Sequence, residues 1–179
     1  MTIDKQASKP TEANLLVVFS DLTEFGRMAR SHSNREIFSF LSEYYEFAGR
    51  SITGGGGEII KFMGDSILFV FPEDRVDSGV LALKDLKTTG DTWMKKRGLR
   101  CRHVIKAHFG PVVCGCVGFG KNERLDVFGD TVNTSALLKS NGLAMTPQVF
   151  RKLKPATRKH FKKHTPPITY IPVEERHRS

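Results

Sequence analysis

Gly57-Glu-Ile-Ile-Lys61-Phe-Met-Gly-Asp65-Ser-Ile-Leu-Phe-Val-Phe71 is the stretch that decides the fold. Two runs rich in β-branched and aromatic residues, 58–63 and 66–71, flank Gly64-Asp65, which reads as a tight hairpin turn. An amphipathic helix precedes them. Ser33-Asn-Arg-Glu36 is a capping box, and behind it Ile37, Leu41, Tyr44 and Ala48 recur every three or four residues up to the glycines at 54–57. Further upstream, Asn14-Leu-Leu-Val-Val-Phe-Ser-Asp21 reads as a buried strand. Downstream, a second helix is expected over 76–96, stopped near Gly98. Leu99–Phe109 and Pro111–Val117 read as two strands paired by a turn at Gly110. A short strand over Arg124–Phe128 follows, then a helix from Asp130 to about Ser140. Ile168–Val173 reads as a last edge strand that tolerates Pro172.

The order β-α-β-β-α-β is the split βαβ arrangement. The expected class is therefore α+β, a ferredoxin-like, palm-type core with a C-terminal extension, its antiparallel sheet covered by helices. Residues 1–13 are polar and expected to form a disordered tail, leaving 14–179 as one domain. In this topology the first two strands run parallel with the third between them. Asp21, at the end of the first strand, then lies beside Asp65 at the hairpin tip. Two facing carboxylates without a basic partner resist ionising together. A hard divalent cation, Mg²⁺ or Mn²⁺, removes the conflict; a capping Asp and a turn Asp are the plainer reading of the same pair.

Composition narrows the field. Of 179 residues, 39% are hydrophobic and 26% charged, as in ordinary globular chains. The longest unbroken apolar runs, Leu15–Phe19 and Ile67–Phe71, have five residues each, far short of the roughly 20 a membrane span needs. The start, Met-Thr-Ile-Asp-Lys-Gln, lacks the apolar stretch of a secretory signal. Three cysteines without metal-ligand spacing fit a reduced, cytoplasmic chain, with Cys114 and Cys116 read as small core residues. The net charge of +9 is concentrated in residues 151–179, where nine Lys/Arg stand against Glu174 and Glu175. Such a stretch is either a solvated face or an attraction for nucleic acid, the latter resting on charge alone.

Three motifs occur in order: Phe19-Ser-Asp21-Leu-Thr-Glu-Phe25, the Gly57–Asp65 segment, and Asp126-Val-Phe-Gly-Asp-Thr-Val-Asn133. Together they resemble the class III adenylate/guanylate cyclase catalytic domain, from about residue 14 to residue 140. The resemblance implies that Asp21 and Asp65 bind two Mg²⁺ or Mn²⁺ ions, with the Leu22 backbone carbonyl as a further ligand. It puts Phe25 and Gly26 in the turn whose backbone N–H groups meet the nucleotide phosphates, although the family usually carries Thr or Ser at the position of Gly26. Lys61 and Asp126 match the purine-reading pair in its adenine-selecting form, Asn133 the residue that orients the ribose, and Lys163 the lysine that neutralises the polyphosphate. The implied activity is conversion of ATP to 3′,5′-cyclic AMP and pyrophosphate. The implied assembly is a head-to-tail homodimer, or a heterodimer with a chain carrying what this one lacks.

What it lacks is an arginine. The family places one four residues after the asparagine to stabilise charge on the α-phosphate; here that position is Leu137. Losing one such donor costs a rate factor of about 10²–10³. Lys121, Arg124 and the C-terminal segment are the substitutes visible in the sequence. The alternative reading is a degenerate cyclase-like domain that binds nucleotide or regulates a partner. A diguanylate cyclase is disfavoured, since Met63-Gly-Asp-Ser-Ile67 lacks that family's paired glycines and Glu-Phe.

Overall fold

A computed structural model describes residues 9–176. Its central strand, β1 (Thr11–Leu22), is antiparallel to both neighbours, β3 (Ser66–Pro72) and β4 (His103–Val117). β2 (Glu58–Met63) pairs antiparallel with β3 through the expected hairpin. β6 (Leu143–Met145), β8 (Thr169–Pro172) and β7 (Phe161–His164) extend the sheet beyond β4, giving the order β2-β3-β1-β4-β6-β8-β7. β5 (Arg124–Phe128) pairs with the far end of β4. The α+β, palm-type core is thus present, with β3 between the parallel β1 and β2.

Helices cover both faces. α2 (Asn34–Gly54) and α3 (Val76–Lys96) bury Tyr44, Ala48, Ile52, Val80, Leu83 and Leu86 against Leu16, Val18, Ile67, Phe69 and Phe71. α2 opens as its sequence requires. Ser33 Oγ accepts from Glu36 N (3.3 Å), and Glu36 Oε2 accepts from Ser33 N (2.7 Å). On the other face Leu15, Val17, Leu68, Val70, Val112, Cys114 and Val127 form a second cluster under α4 (Asp130–Leu137). Ser135 Oγ pins α4 there by donating to the carbonyls of Val17 and Lys106, both at 3.0 Å. Among the described residues no helix is long and apolar enough to cross a membrane.

Several expectations are corrected. Gly110 is no turn: β4 runs straight through it, because β1 pairs with β4 all the way from Leu22↔His103 to Thr11↔Cys114. The glycine serves close packing instead, since a Cβ there would lie 2.6 Å from Thr131 Oγ1. Pro111 falls where β4 has no second partner, β6 pairing only up to Ala107 and β5 starting at Val113; a missing N–H is tolerated at such a place. The expected tail over 1–13 lies partly outside the described residues, and Thr11–Ala13 already belong to β1. α4 stops at Leu137 rather than Ser140. β8 is not the edge, because β7 lies outside it. Cys114 is buried but Cys116 is exposed. Three short helices, α1 (Phe25–Arg30), α5 (Pro147–Lys152) and α6 (Pro155–Arg158), and strands β6 and β7 had no clear signal in the sequence.

Candidate active site

The topology delivers Asp21 and Asp65 to one place. Asp21 sits one residue before the end of β1, and Asp65 occupies the turn between β2 and β3. The Asp21 carboxylate accepts from Ser66 Oγ (2.8 Å) and from the Leu22 backbone N–H (3.0 Å). Burial first, then a hydrogen bond and the negative charge of Asp21, push the Asp65 carboxyl up to about 6; backbone N–H groups of Asp65 and Leu22 offset part of this. The neighbouring Asp21 charge thus disfavours ionisation of Asp65, a conflict that a bound cation would remove. All the donors are hard oxygens, which fits Mg²⁺ or Mn²⁺. Among the described residues no third His, Cys, Asp or Glu joins them. A cation held here would complete its shell with a backbone carbonyl, water and substrate oxygens, the habit of Mg²⁺.

Two groups unnoticed in the sequence fix this corner. Tyr45, on α2, donates its hydroxyl to the Gly64 carbonyl (2.7 Å) and stacks on Phe62 at 4.0 Å, clamping the hairpin that carries Asp65. Ser66 orients Asp21. Ser66 could have been suspected from its place beside Asp65; Tyr45 depends on a helix–hairpin contact 19 residues apart in sequence.

Phe25 opens α1 and packs against Phe40, with ring centroids 6.2 Å apart. Glu24 before it adopts a left-handed conformation (φ 58°), which turns the chain sharply from β1 into the helix. The N–H groups of Phe25 and Gly26 lie in the first turn, where a helix offers no carbonyl ahead of them. A Cβ on Gly26 would meet nothing within 4 Å, so the serine or threonine expected at that position would fit.

Lys61 and Asp126 meet across 65 residues, Lys61 Nζ donating to Asp126 Oδ2 at 2.5 Å. A bulge at Ile60 makes this possible. Ile59 pairs with Phe69 and packs on the α2/α3 side, whereas Lys61 pairs with Leu68 on the α4 side. Neither plainer reading holds, since Lys61 is ion-paired and Asp126 lies inside β5 rather than in a turn. The pair sits roughly 10 Å down the sheet from the hairpin tip, at ~3.3 Å per residue. Asn133 is exposed on α4 and is not its cap, which is Gly129. Leu137, the last residue of α4, is 81% exposed. Lys163 lies on edge strand β7, four strands from β1, so one chain does not bring it to the aspartates.

A cleft of about 510 Å³ lies on the β4 side of Asp21, lined by Thr23, Arg102, Val104, Ser140, Asn141 and Arg176, with Val104 paired to Asp21. A similar cavity, of about 520 Å³, lies at the other end of the sheet around the glycines at 54–57, away from these groups.

Comparisons with known proteins identify the family and the fold. The adenylate and guanylate cyclase catalytic domain family matches residues 7–170. An adenylate cyclase of Anabaena cylindrica is 29% identical over 153 residues, 78% of this chain and 30% of the relative. A receptor-type guanylate cyclase of Drosophila melanogaster is 29% identical over 158 residues, 83% of this chain and 10% of the relative. The chain thus spans less than a third of the length of either. A bacterial light-regulated adenylyl cyclase structure superposes with a TM-score of 0.80 at 21% identity, covering 96% of this chain and 55% of that one. With the family matched over most of its length and the fold shared, the chain belongs to the class III adenylate and guanylate cyclase catalytic domains.

Proposed function

We propose that this cyclase domain converts ATP to 3′,5′-cyclic AMP and pyrophosphate. The observation that carries the choice of base is the Lys61–Asp126 pair. Asp126 can accept from the exocyclic amino group of adenine while Lys61 donates to a ring nitrogen. Guanine presents the reverse pattern, and buried polar groups left unpaired are heavily penalised. Asp21 and Asp65, with the Leu22 carbonyl, would hold two divalent ions. Such ions supply charge neutralisation of the triphosphate and a lowered pKa for the ribose 3′-hydroxyl. In the overall step the 3′-oxygen loses its proton and bonds to the α-phosphorus, and the bond to the β-phosphate oxygen breaks. Arg102 and Arg176 give the cleft beside Asp21 positive charge suited to the phosphate tail. The first-turn N–H groups of Phe25 and Gly26 suit the same tail, and Asn133 suits the ribose.

Lys163 and Asn133 serve in this scheme from a second copy. A head-to-tail homodimer would pair one chain's aspartates with the other's purine pair, ribose asparagine and β7 lysine, building two equivalent sites. The 81% exposure of the apolar Leu137 supports a second reading, a regulatory domain that binds nucleotide without turnover.

The test is purified protein at high concentration with Mn²⁺ and either ATP or GTP. Cyclic AMP above an Asp21→Ala control, and in excess over cyclic GMP, is expected. Equal products would refute the base assignment. No product from either nucleotide would leave the regulatory reading standing in place of the enzyme.

A further inference from the structure

We infer that Lys106, on β4, supplies the positive charge that α4 lacks at Leu137 and stabilises the α-phosphate during cyclisation. The inference rests on the cyclase reading above.

Residues directly opposite on paired strands project to the same face. The registers Lys61↔Leu68, Leu68↔Phe19 and Phe19↔Lys106 therefore form one row across β2, β3, β1 and β4. Leu68 and Phe19 belong to the cluster under α4, so Lys61 and Lys106 flank that cluster on a single face. Lys61 reaches Asp126 from one end of the row. Lys106 reaches α4 from the other, donating from Nζ to the Ala136 carbonyl at 3.0 Å. Ala136 immediately precedes Leu137, and Asn133 lies one helical turn before Leu137 on the exposed side of α4. The ammonium is thus held at the end of the helix that presents the ribose-orienting position.

Lys106 is half-buried. Ser135 fixes α4 on the Lys106 carbonyl itself, so the lysine backbone and the helix end form one rigid unit. An ammonium has three N–H donors, and the Ala136 carbonyl accepts one. The remaining donors are available to an oxyanion at the helix end, in surroundings less solvated than an exposed loop. Two of the substitutes visible in the sequence, Lys121 and Arg124, are worse placed. Lys121 and Arg124 are exposed at the far end of β4, where Arg124 Nη1 donates to the carbonyls of Lys121 and Glu123. Lys139 lies beyond the helix end and is exposed. The competing role for Lys106 is a plain C-terminal cap, since a lysine at the last carbonyls of a helix stabilises it.

The experiment separates these roles by comparing the parent chain, Lys106→Met, Lys139→Met, Leu137→Arg and the Lys106→Met/Leu137→Arg double variant. Each is measured for kcat and KM with Mn²⁺-ATP, for affinity toward a fluorescent ATP analogue, and for Tm. Lys106→Met is expected to lower kcat about 100-fold, with nucleotide affinity within about threefold of the parent. The double variant is expected to recover at least tenfold, because an arginine at 137 restores the charge from the helix side. A Lys106→Met variant that keeps kcat within twofold overturns the inference. So does a loss of kcat that Leu137→Arg does not repair and that tracks a fall in Tm, the signature of a cap, or a comparable loss in Lys139→Met alone. A parent chain that binds the analogue but makes no product overturns the cyclase reading and this inference together; an active parent with an active Lys106→Met variant overturns this inference alone.

Discussion

Gly90 faces His103 across the α3–β4 contact, and a Cβ there would lie 2.3 Å from the imidazole Cε1. His103 is fully buried and cannot step aside. Asp91 holds it twice, accepting from its backbone N–H at 2.8 Å and lying 3.2 Å from Nδ1. Burial pulls the Asp91 carboxyl up, but hydrogen bonds from His103 and Lys87 outweigh it and leave it below the usual carboxylate range. Gly90→Ala would gain about 1 kcal/mol of helix propensity and would cost about 1–3 kcal/mol in overpacking. A lower Tm than the parent is expected; a higher one would show that helix propensity governs this position. The same scale holds the site's most informative oddity, Leu137, an apolar side chain standing in water one residue after the carbonyl that accepts from Lys106.

Among the elements, α2 shows how much a short motif can specify. Its start is fixed by the Ser33–Glu36 capping box and its end by the glycines at 54–57, both read directly from the sequence. Ser33→Ala removes the acceptor for the Glu36 N–H, and the midpoint of urea unfolding should fall by the equivalent of about 1 kcal/mol. An unchanged midpoint would mean that packing of Tyr44, Ala48 and Ile52 alone holds the first turn. β4 shows the opposite case. Gly110-Pro111 has turn chemistry, yet pairing with β1 along twelve registered positions overrides it. Local preferences of a kcal/mol or less yield to a ladder of that length.

Over the whole molecule, the sheet brings together acids 44 positions apart and stores their repulsion. Asp65 titrates near 6 in the folded chain, above its ordinary 3.8. The folded state therefore takes up a proton before the unfolded state does. For this group the stability contribution is full below about 4 and is lost as pH rises through about 6. In EDTA, Tm is expected to gain from this pair on going from pH 7.5 to 5, and Asp65→Asn should remove that gain. Mn²⁺ should raise Tm more at pH 7.5 than at pH 5, because protons compete for the same oxygens. Identical pH profiles for parent and Asp65→Asn would contradict the pairing of the two acids.

The sequence by itself determined the hairpin at Gly64-Asp65, the span of α2 and α3, and the order of elements that makes a palm-type sheet. These rest on periodicity, capping and turn chemistry, which act within a few residues. It also marked Asp21, Asp65, Lys61, Asp126 and Asn133, because ordered motifs preserve spacing even where contacts are unseen. The tertiary structure alone decided that Lys61 closes on Asp126, through a bulge that turns its side chain to the other face of β2. It alone decided that Tyr45 clamps the hairpin, that Gly110 serves packing, and that Lys106 ends at the carbonyl of Ala136. Each of these depends on register between strands or on one layer meeting another, and such long-range geometry leaves no trace in local patterns of residues.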